Sequence, residues 1–363
     1  MKWSWKIGEF AGIGVYIHAT FFLVIGWVAL VHWRQGQTLE ATLVGIGFIL
    51  VLFLCVVLHE FGHALTAKKY GIKTRDITLL PIGGVARLER MPDDPKQELW
   101  VALAGPAVNL VIALGLLFWL QLTAGFEPLS RLGIATGSFV ERLMVVNVFL
   151  VLFNMLPAFP MDGGRVLRAL FATRLSYTRA TQIAASVGQA MAFIFGFIGL
   201  FTNPFLVFIA FFVWIGATQE SSMVQMRSAL GGIPVSPAML TEYRTLNPND
   251  TLAHATQLIL AGSQQDFPVV EDGQVVGILT RSDLLKALAS EGQNASVSEV
   301  MRRDFQVADS SEMLETAFAR LQGGDCHTMP VVRNDDLVGL LTTDNVGEFL
   351  MIHSALEKQR KHR

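Results

Sequence analysis

Two cysteines in 363 residues, Cys55 and Cys326, are too few for a disulfide framework. Charge is scarce as well. Asp, Glu, Lys and Arg make up 16% of the chain against 52% hydrophobic residues, and the mean hydropathy is +0.45. That balance excludes an ordinary soluble enzyme for the chain as a whole. No block of Lys and Arg is dense enough to form a nucleic-acid surface, and a net charge of -2 marks no polyanionic partner. The start of the chain has no small-residue cleavage site, so no cleavable signal peptide is expected. The sharpest absence lies between Leu43 and Leu58, sixteen residues without one charge.

That run leads into His59-Glu60-Phe61-Gly62-His63 and continues as a helical pattern to Ala67, long enough to cross a bilayer. On a helix His59 and His63 stand at i and i+4, so both imidazoles share a face and can reach one metal ion. Glu60 lies one residue round as a base for water at that metal. A buried polar patch gluing helices is the bland alternative. Two His and a Glu inside a membrane segment are costly enough to favour function. Cys55 shares the His59 face and reads as a small packing residue, and His18 as an interfacial one.

Six apolar segments stand out, at about 18–33, 42–67, 99–122, 143–158, 180–201 and 204–217. Beyond Glu220 the chain turns regularly polar, with Gly and Pro punctuation. The expected architecture is multi-domain: a polytopic α-helical membrane domain of about six spans followed by a soluble α/β domain. Its divisions are 1–222 for the membrane domain, 223–234 for a linker, 235–292 and 293–356 for two soluble repeats, and 357–363 for a basic tail. With the N-terminus in the cytoplasm, that side receives 13 Lys and Arg before the soluble part, and the other side receives Arg34, Arg131 and Arg142. Both termini are therefore expected at the cytoplasmic face of a multi-pass protein in the cell membrane. His59 precedes Lys68 by nine residues, placing a metal about 14 Å inside the cytoplasmic end of its helix.

Two histidines leave a metal in need of a third protein ligand and an open position. An extended H-E-x-x-H-x-x-G-x-x-H would need Gly and His where Thr66 and Lys69 stand. The distinctive acid is Asp162, in Asn154-Met-Leu-Pro157-Ala-Phe-Pro160-Met-Asp162-Gly163-Gly164. Pro157 and Pro160 break the fourth segment, and Gly163-Gly164 lets the backbone turn. The plain alternative for Asp162 is a helix-terminal turn residue.

H-E-F-G-H on one span and N-M-L-P-A-F-P-M-D-G-G on a later one resemble the site-2 protease family of intramembrane zinc metalloproteases. Gly12-Ile13 with Val15-Tyr-Ile-His18, Gly83-Gly84-Val85-Ala86 and Ala104-Gly105-Pro106-Ala-Val-Asn109 extend the resemblance over about 1–222. It implies that His59, His63 and Asp162 hold one Zn2+ per chain, that Glu60 is the general base, and that Asn154 contacts the scissile peptide or the oxyanion. The implied substrate is a transmembrane protein, a membrane-anchored regulator, cut within the lipid bilayer. Gly71–Glu89 reads as a short β-hairpin at the cytoplasmic interface, whose strand, with Gly83 and Gly84, could pair with an unwound substrate; the plain alternative is a connecting loop. Asn109 is a further candidate for substrate contact, beside a close-packing role for Gly105-Pro106.

The soluble part repeats itself at an offset of 62: Ala238-Met239 as Val300-Met301, Leu252 as Leu314, Phe267-Pro-Val-Val270 as Met329-Pro-Val-Val332, and Gly277-Ile-Leu-Thr280 as Gly339-Leu-Leu-Thr342. Each unit reads helix, strand, turn (Asp272-Gly273; Asn334-Asp335), strand, helix. This resembles a tandem pair of CBS domains, a family that often binds adenine nucleotides such as AMP, ADP or ATP and often forms homodimers. The resemblance implies nucleotide contacts at Thr280 and Asp283 and at Thr342 and Asn345, with Asn345 departing from the usual Asp. Helix capping explains the same residues without a ligand. The tail Glu357–Arg363 reads as a frayed basic end near anionic lipid. A rival reading of the whole chain is a CBS-regulated transporter or channel with a His/Glu/Asp ion path, which would call for the inverted halves the sequence lacks.

Overall fold

A computed structural model describes residues 3–81, 83–92, 94–123, 137–324 and 326–361, which fall into two compact units, 1–224 and 225–363. Arg131, and Lys2 among the 13 cytoplasmic cations, lie outside the described residues, as do residues 362–363 of the basic tail.

The first unit opens on a sheet. Strands β1 (Ser4–Phe10) and β2 (Ile13–His18) form a hairpin whose turn residues, Ala11 and Gly12, both have positive φ. Helices α1 (Phe21–Arg34) and α2 (Leu39–Lys69) follow, then strands β3 (Thr74–Leu80) and β4 (Gly83–Leu88). The sheet order is β1-β2-β3-β4, with β3 parallel to β2 and antiparallel to β4. The hairpin expected over 71–89 is thus half of a larger sheet. Its other half lies in the mixed stretch Trp3–Ile17 that precedes the first apolar segment. In β2 the inward side is carried by Ile13, Val15 and the partly buried Ile17, too short an alternation to stand out.

Helices α3 (Pro95–Thr123), α4 (Phe139–Asn154), α5 (Asp162–Ala172), α6 (Tyr177–Thr202) and α7 (Pro204–Leu230) complete this unit, the last running on into the second. Each of the six apolar segments holds a helix. Among the described residues, α2, α3, α6 and α7 are long and apolar enough to cross a membrane, whereas α1 and α4 have 14 and 16 residues. Local chemistry sets the ends. Thr38 caps α2 by accepting from the Ala41 amide, Lys68 and Lys69 face its C-terminal dipole, and Ser138 with Glu141 makes a capping box on α4. The helix α4 stops at Asn154, ahead of Pro157, and Asp162 is the first residue of the amphipathic α5, an element absent from the six-segment pattern.

Three of these helices are tied by ions. Arg168 on α5 donates to Glu98 Oε1 on α3 through Nε at 2.8 Å and Nη2 at 2.5 Å, and through Nη1 to Glu220 on α7. Its guanidinium also lies over the Phe159 and Tyr177 rings. Arg168 and Glu98 are wholly buried, and removing one partner from such a pair typically destabilises by about 3–5 kcal/mol. Arg168 therefore leaves the count of loop cations used for orientation.

In the second unit α8 (Leu252–Ala261), β5 (Phe267–Glu271), β6 (Gln274–Leu279) and α9 (Arg281–Ser290) form the first repeat. After α10 (Val297–Val300) and β7 (Ala308–Asp309), the second repeat follows as α11 (Leu314–Gly323), β8 (Thr328–Arg333), β9 (Asp336–Thr342) and α12 (Thr343–Lys361). The hairpin turns carry positive φ at Asp272-Gly273 and Asn334-Asp335, as their residue types favour. The opening segment of each repeat packs with the other one. Val235 and Ala238 join the core of Leu314, Val331 and Leu341, while Val297 and Met301 join that of Leu252, Val269 and Leu279. Residues 223–230 of the expected linker continue α7, and Leu230 is buried in the second repeat's core. The tail expected to fray is helical to Lys361.

Candidate active site

His59 and His63 project from one face of α2 toward the start of α5. Their Nε2 atoms are 3.1 Å apart, and Asp162 Oδ2 lies 3.2 Å from the first and 3.1 Å from the second. All three residues are buried. The outer nitrogens are engaged elsewhere: His59 Nδ1 lies 2.5 Å from Asn109 Oδ1, and His63 Nδ1 lies 2.7 Å from the Val101 carbonyl, both on α3. Those oxygens accept, so the Nδ1 atoms carry protons, and in a neutral ring so held the Nε2 lone pair is turned toward Asp162. With both rings neutral the three converging atoms are all acceptors, the donor set of a divalent cation.

The spacing also fits one. Ligand atoms 2.0–2.1 Å from a tetrahedral zinc are about 3.3 Å from one another. Gly105 makes room: a Cβ there would sit 2.2 Å from His63 Nε2 and 2.7 Å from His59 Nε2. Close packing was the role read for Gly105 in the sequence; the structure shows that the space it keeps open is at the donor atoms.

Glu60, half-buried, accepts the Ala86 amide at 3.2 Å, and Gly84 of the same strand lies against the Glu60 side chain. Gly83 opens β4 with φ of 139°. Because the Ala86 N–H points to Glu60 and not to β3, the β4 edge turns its free backbone groups toward the active face. Asn154 is half-buried at the last position of α4. Asn109 differs from the expectation of a substrate contact. It is 0% exposed, with its oxygen on His59 and its nitrogen on Asn147 Oδ1 at 2.8 Å, which leaves no atom to meet a substrate. Val101, Asn147 and Arg168 were missed in the sequence reading. A polar residue in mid-span was the available signal for Asn147.

In the second unit, Thr280 caps α9, accepting the Asp283 amide at 3.1 Å and donating to Asp283 Oδ2 at 2.7 Å. Thr342 and Asn345 repeat this at 3.2 and 2.8 Å. Arg302 forks onto Asp283 and holds its carboxyl below the usual range. Asp283 lines a cavity of about 630 Å³ together with Lys286, Arg302, Arg303, Arg320 and Thr328. Burial pushes the Cys326 thiol at its rim upward.

Comparison with known proteins gives two matching families. The profile of peptidase family M50 matches residues 47–144 and 128–195, and that of the CBS domain matches 230–290 and 297–351. "Zinc metalloprotease MJ0392" of Methanocaldococcus jannaschii is 33% identical over 316 residues, 87% of each chain. "Stage IV sporulation protein FB" of Bacillus subtilis is 24% identical over 263 residues, 70% of this chain and 88% of its own. Among solved structures, the site-2 protease from Methanocaldococcus jannaschii is 37% identical, covering 60% of this chain and 95% of that one with a TM-score of 0.45.

The close approach of Gly105 to the donor atoms has a direct consequence. Gly105→Ala is expected to lower zinc affinity by about 10-fold or more, as outer-shell changes do at such sites. Gly115→Ala, on the same helix with open space beside its Cα, leaves affinity unchanged. Zinc content per chain after dialysis measures both; equal content in the two variants would remove Gly105 from the site.

Proposed function

This chain belongs to peptidase family M50, the site-2 proteases, and we propose that it cuts a peptide bond in or near a transmembrane segment of another membrane protein. The observation that carries the proposal is the buried triangle of His59 Nε2, His63 Nε2 and Asp162 Oδ2 beside Glu60. His59, His63 and Asp162 would hold one zinc ion. Bound there, zinc supplies Lewis acidity toward water and toward a carbonyl oxygen.

The chain's own groups supply the remainder. Glu60 takes a proton from the attacking water and returns it to the leaving amine nitrogen. The substrate enters extended, since a helix ties up its own carbonyls, and pairs with the β4 edge at Gly83, Gly84 and Ala86. Asn154, at the end of α4, donates to the scissile carbonyl. The target is a membrane-anchored regulator, and the CBS pair (residues 230–290 and 297–351) is a module that senses an adenine nucleotide or joins two copies. Asp283 receives the nucleotide in the cavity it lines, with Thr280 hydrogen-bonded beside it, which requires Arg302 to leave Asp283. Thr342 and Asn345 form the second, weaker position. Both termini face the cytoplasm, for the excess of Lys and Arg survives the withdrawal of Arg168.

Glu60→Gln is expected to keep its zinc and to lose at least about 100-fold in cleavage of a transmembrane model substrate, the usual scale for a general base. Cleavage at the parent rate would sink the assignment. Calorimetry on the full chain should detect AMP, weakened about 10-fold by Asp283→Ala; no heat at about 1 mM AMP would argue for capping alone. A phosphatase active only outside the cytoplasm, fused after residue 363, should be silent, and activity would reverse the orientation.

A further inference from the structure

The two histidines are oriented by different kinds of partner. His63 Nδ1 faces the Val101 carbonyl, which can only accept. His59 Nδ1 faces the side-chain amide of Asn109, whose two ends are nearly the same size and opposite in polarity. Turned one way, Asn109 accepts from His59 and leaves Nε2 bare. Turned the other way, it donates to Nδ1 and moves the ring proton onto Nε2, where it would face the other two donor atoms.

What decides between them is further along the chain of contacts. Asn109 Nδ2 donates to Asn147 Oδ1 at 2.8 Å, and Asn147 Nδ2 donates to the Leu143 carbonyl at 2.8 Å. The Leu143 carbonyl can only accept, so Asn147 must present its nitrogen there and its oxygen to Asn109. Asn109 must then present its nitrogen to Asn147 and its oxygen to His59. Both asparagines are 0% exposed and Leu143 packs with Phe48 and Cys55, so water has no place in the sequence of bonds.

We infer that Asn147 is a positioning residue for the metal centre: through Asn109 it fixes the tautomer of His59 that leaves Nε2 free to bind a metal. The inference rests on the reading of His59 as a metal ligand. The direction of each bond runs from one backbone oxygen on α4 to one imidazole on α2, and the polarity of no member can be reversed alone.

The test uses the full chain in detergent, with the zinc dissociation constant read by chelator competition and the visible bands of the Co2+-loaded protein read as a report on the donor atoms. Asn147→Leu deletes the acceptor for Asn109 Nδ2 and is expected to weaken zinc by about 10–100-fold and to shift the Co2+ bands. Asn147→Ala, which keeps a good helix former at the position, serves if the leucine variant does not fold. Asn109→Asp offers a carboxylate that accepts from His59 in either orientation but faces Asn147 Oδ1, so alone it also weakens zinc. The double variant Asn109→Asp with Asn147→Leu removes that clash and should return to within about threefold of the parent, with the parent's Co2+ bands.

Two single losses that cancel when combined are not what a merely structural role produces. If the parent binds zinc and the Asn147 variants bind it equally well, or if the double variant binds no better than Asn147→Leu, the relay is overturned. If the parent itself binds neither zinc nor Co2+, the metal reading fails first and the relay falls with it.

Discussion

Three acceptor atoms, two imidazole nitrogens and a carboxylate oxygen, stand within 3.2 Å of one another with their lone pairs converging. With both rings neutral that arrangement is unfavourable in an apolar bundle unless a cation lies among them, and most of the first unit can be understood as the means of holding it. Helix α2 brings two of the atoms to one face. Helix α3 comes close enough at Gly105 for its Val101 carbonyl and Asn109 amide to grip the outer ring nitrogens. Helix α5 supplies the third atom from its first residue, and Arg168, two turns on, anchors that helix to α3 and α7.

The same constraint explains why polar residues are so few and so deeply placed. Asn109, Asn147, Glu98 and Arg168 are wholly buried in a unit whose outward faces are Leu, Phe and Trp. Asn109 and Asn147 bond each other, His59 and the Leu143 carbonyl, while Arg168 bonds Glu98 and Glu220. Glu60 is the exception in position: it lies half-buried beside the sheet edge, bonded to the Ala86 amide of β4, where an extended peptide would arrive.

The second unit follows a different logic. Its residues of interest, Thr280 with Asp283 and Thr342 with Asn345, are already satisfied as helix caps, and Arg302 adds a fork onto Asp283. A nucleotide there would have to exchange partners, not fill vacant ones. Swapped opening segments bind the repeats to each other: the Leu240 amide pairs with Leu340 and the Arg302 amide with Ile278. The boundary between repeats in sequence is therefore not the boundary in space.

Much of this was legible in the order of residues alone. The i, i+4 pair His59 and His63, the break at Pro157 and Pro160 before Asp162, the offset of 62 and the two positive-φ turns are all relations within one element or one short stretch. Helical or strand geometry converts such relations directly into space. The tertiary structure alone decided that Asn109 serves His59 instead of a substrate, that Asn147 stands behind it, that Arg168 is a buried anchor and not a loop cation, and that the N-terminal stretch completes a sheet. Those facts join residues 50, 38 and 70 positions apart. No local periodicity encodes which side chains meet when separate helices dock, because that depends on how closely their backbones can approach. Here that approach is set at Gly62, where a Cβ would sit 2.7 Å from the Ala104 carbonyl oxygen, and Gly105 keeps the space beside the two imidazoles.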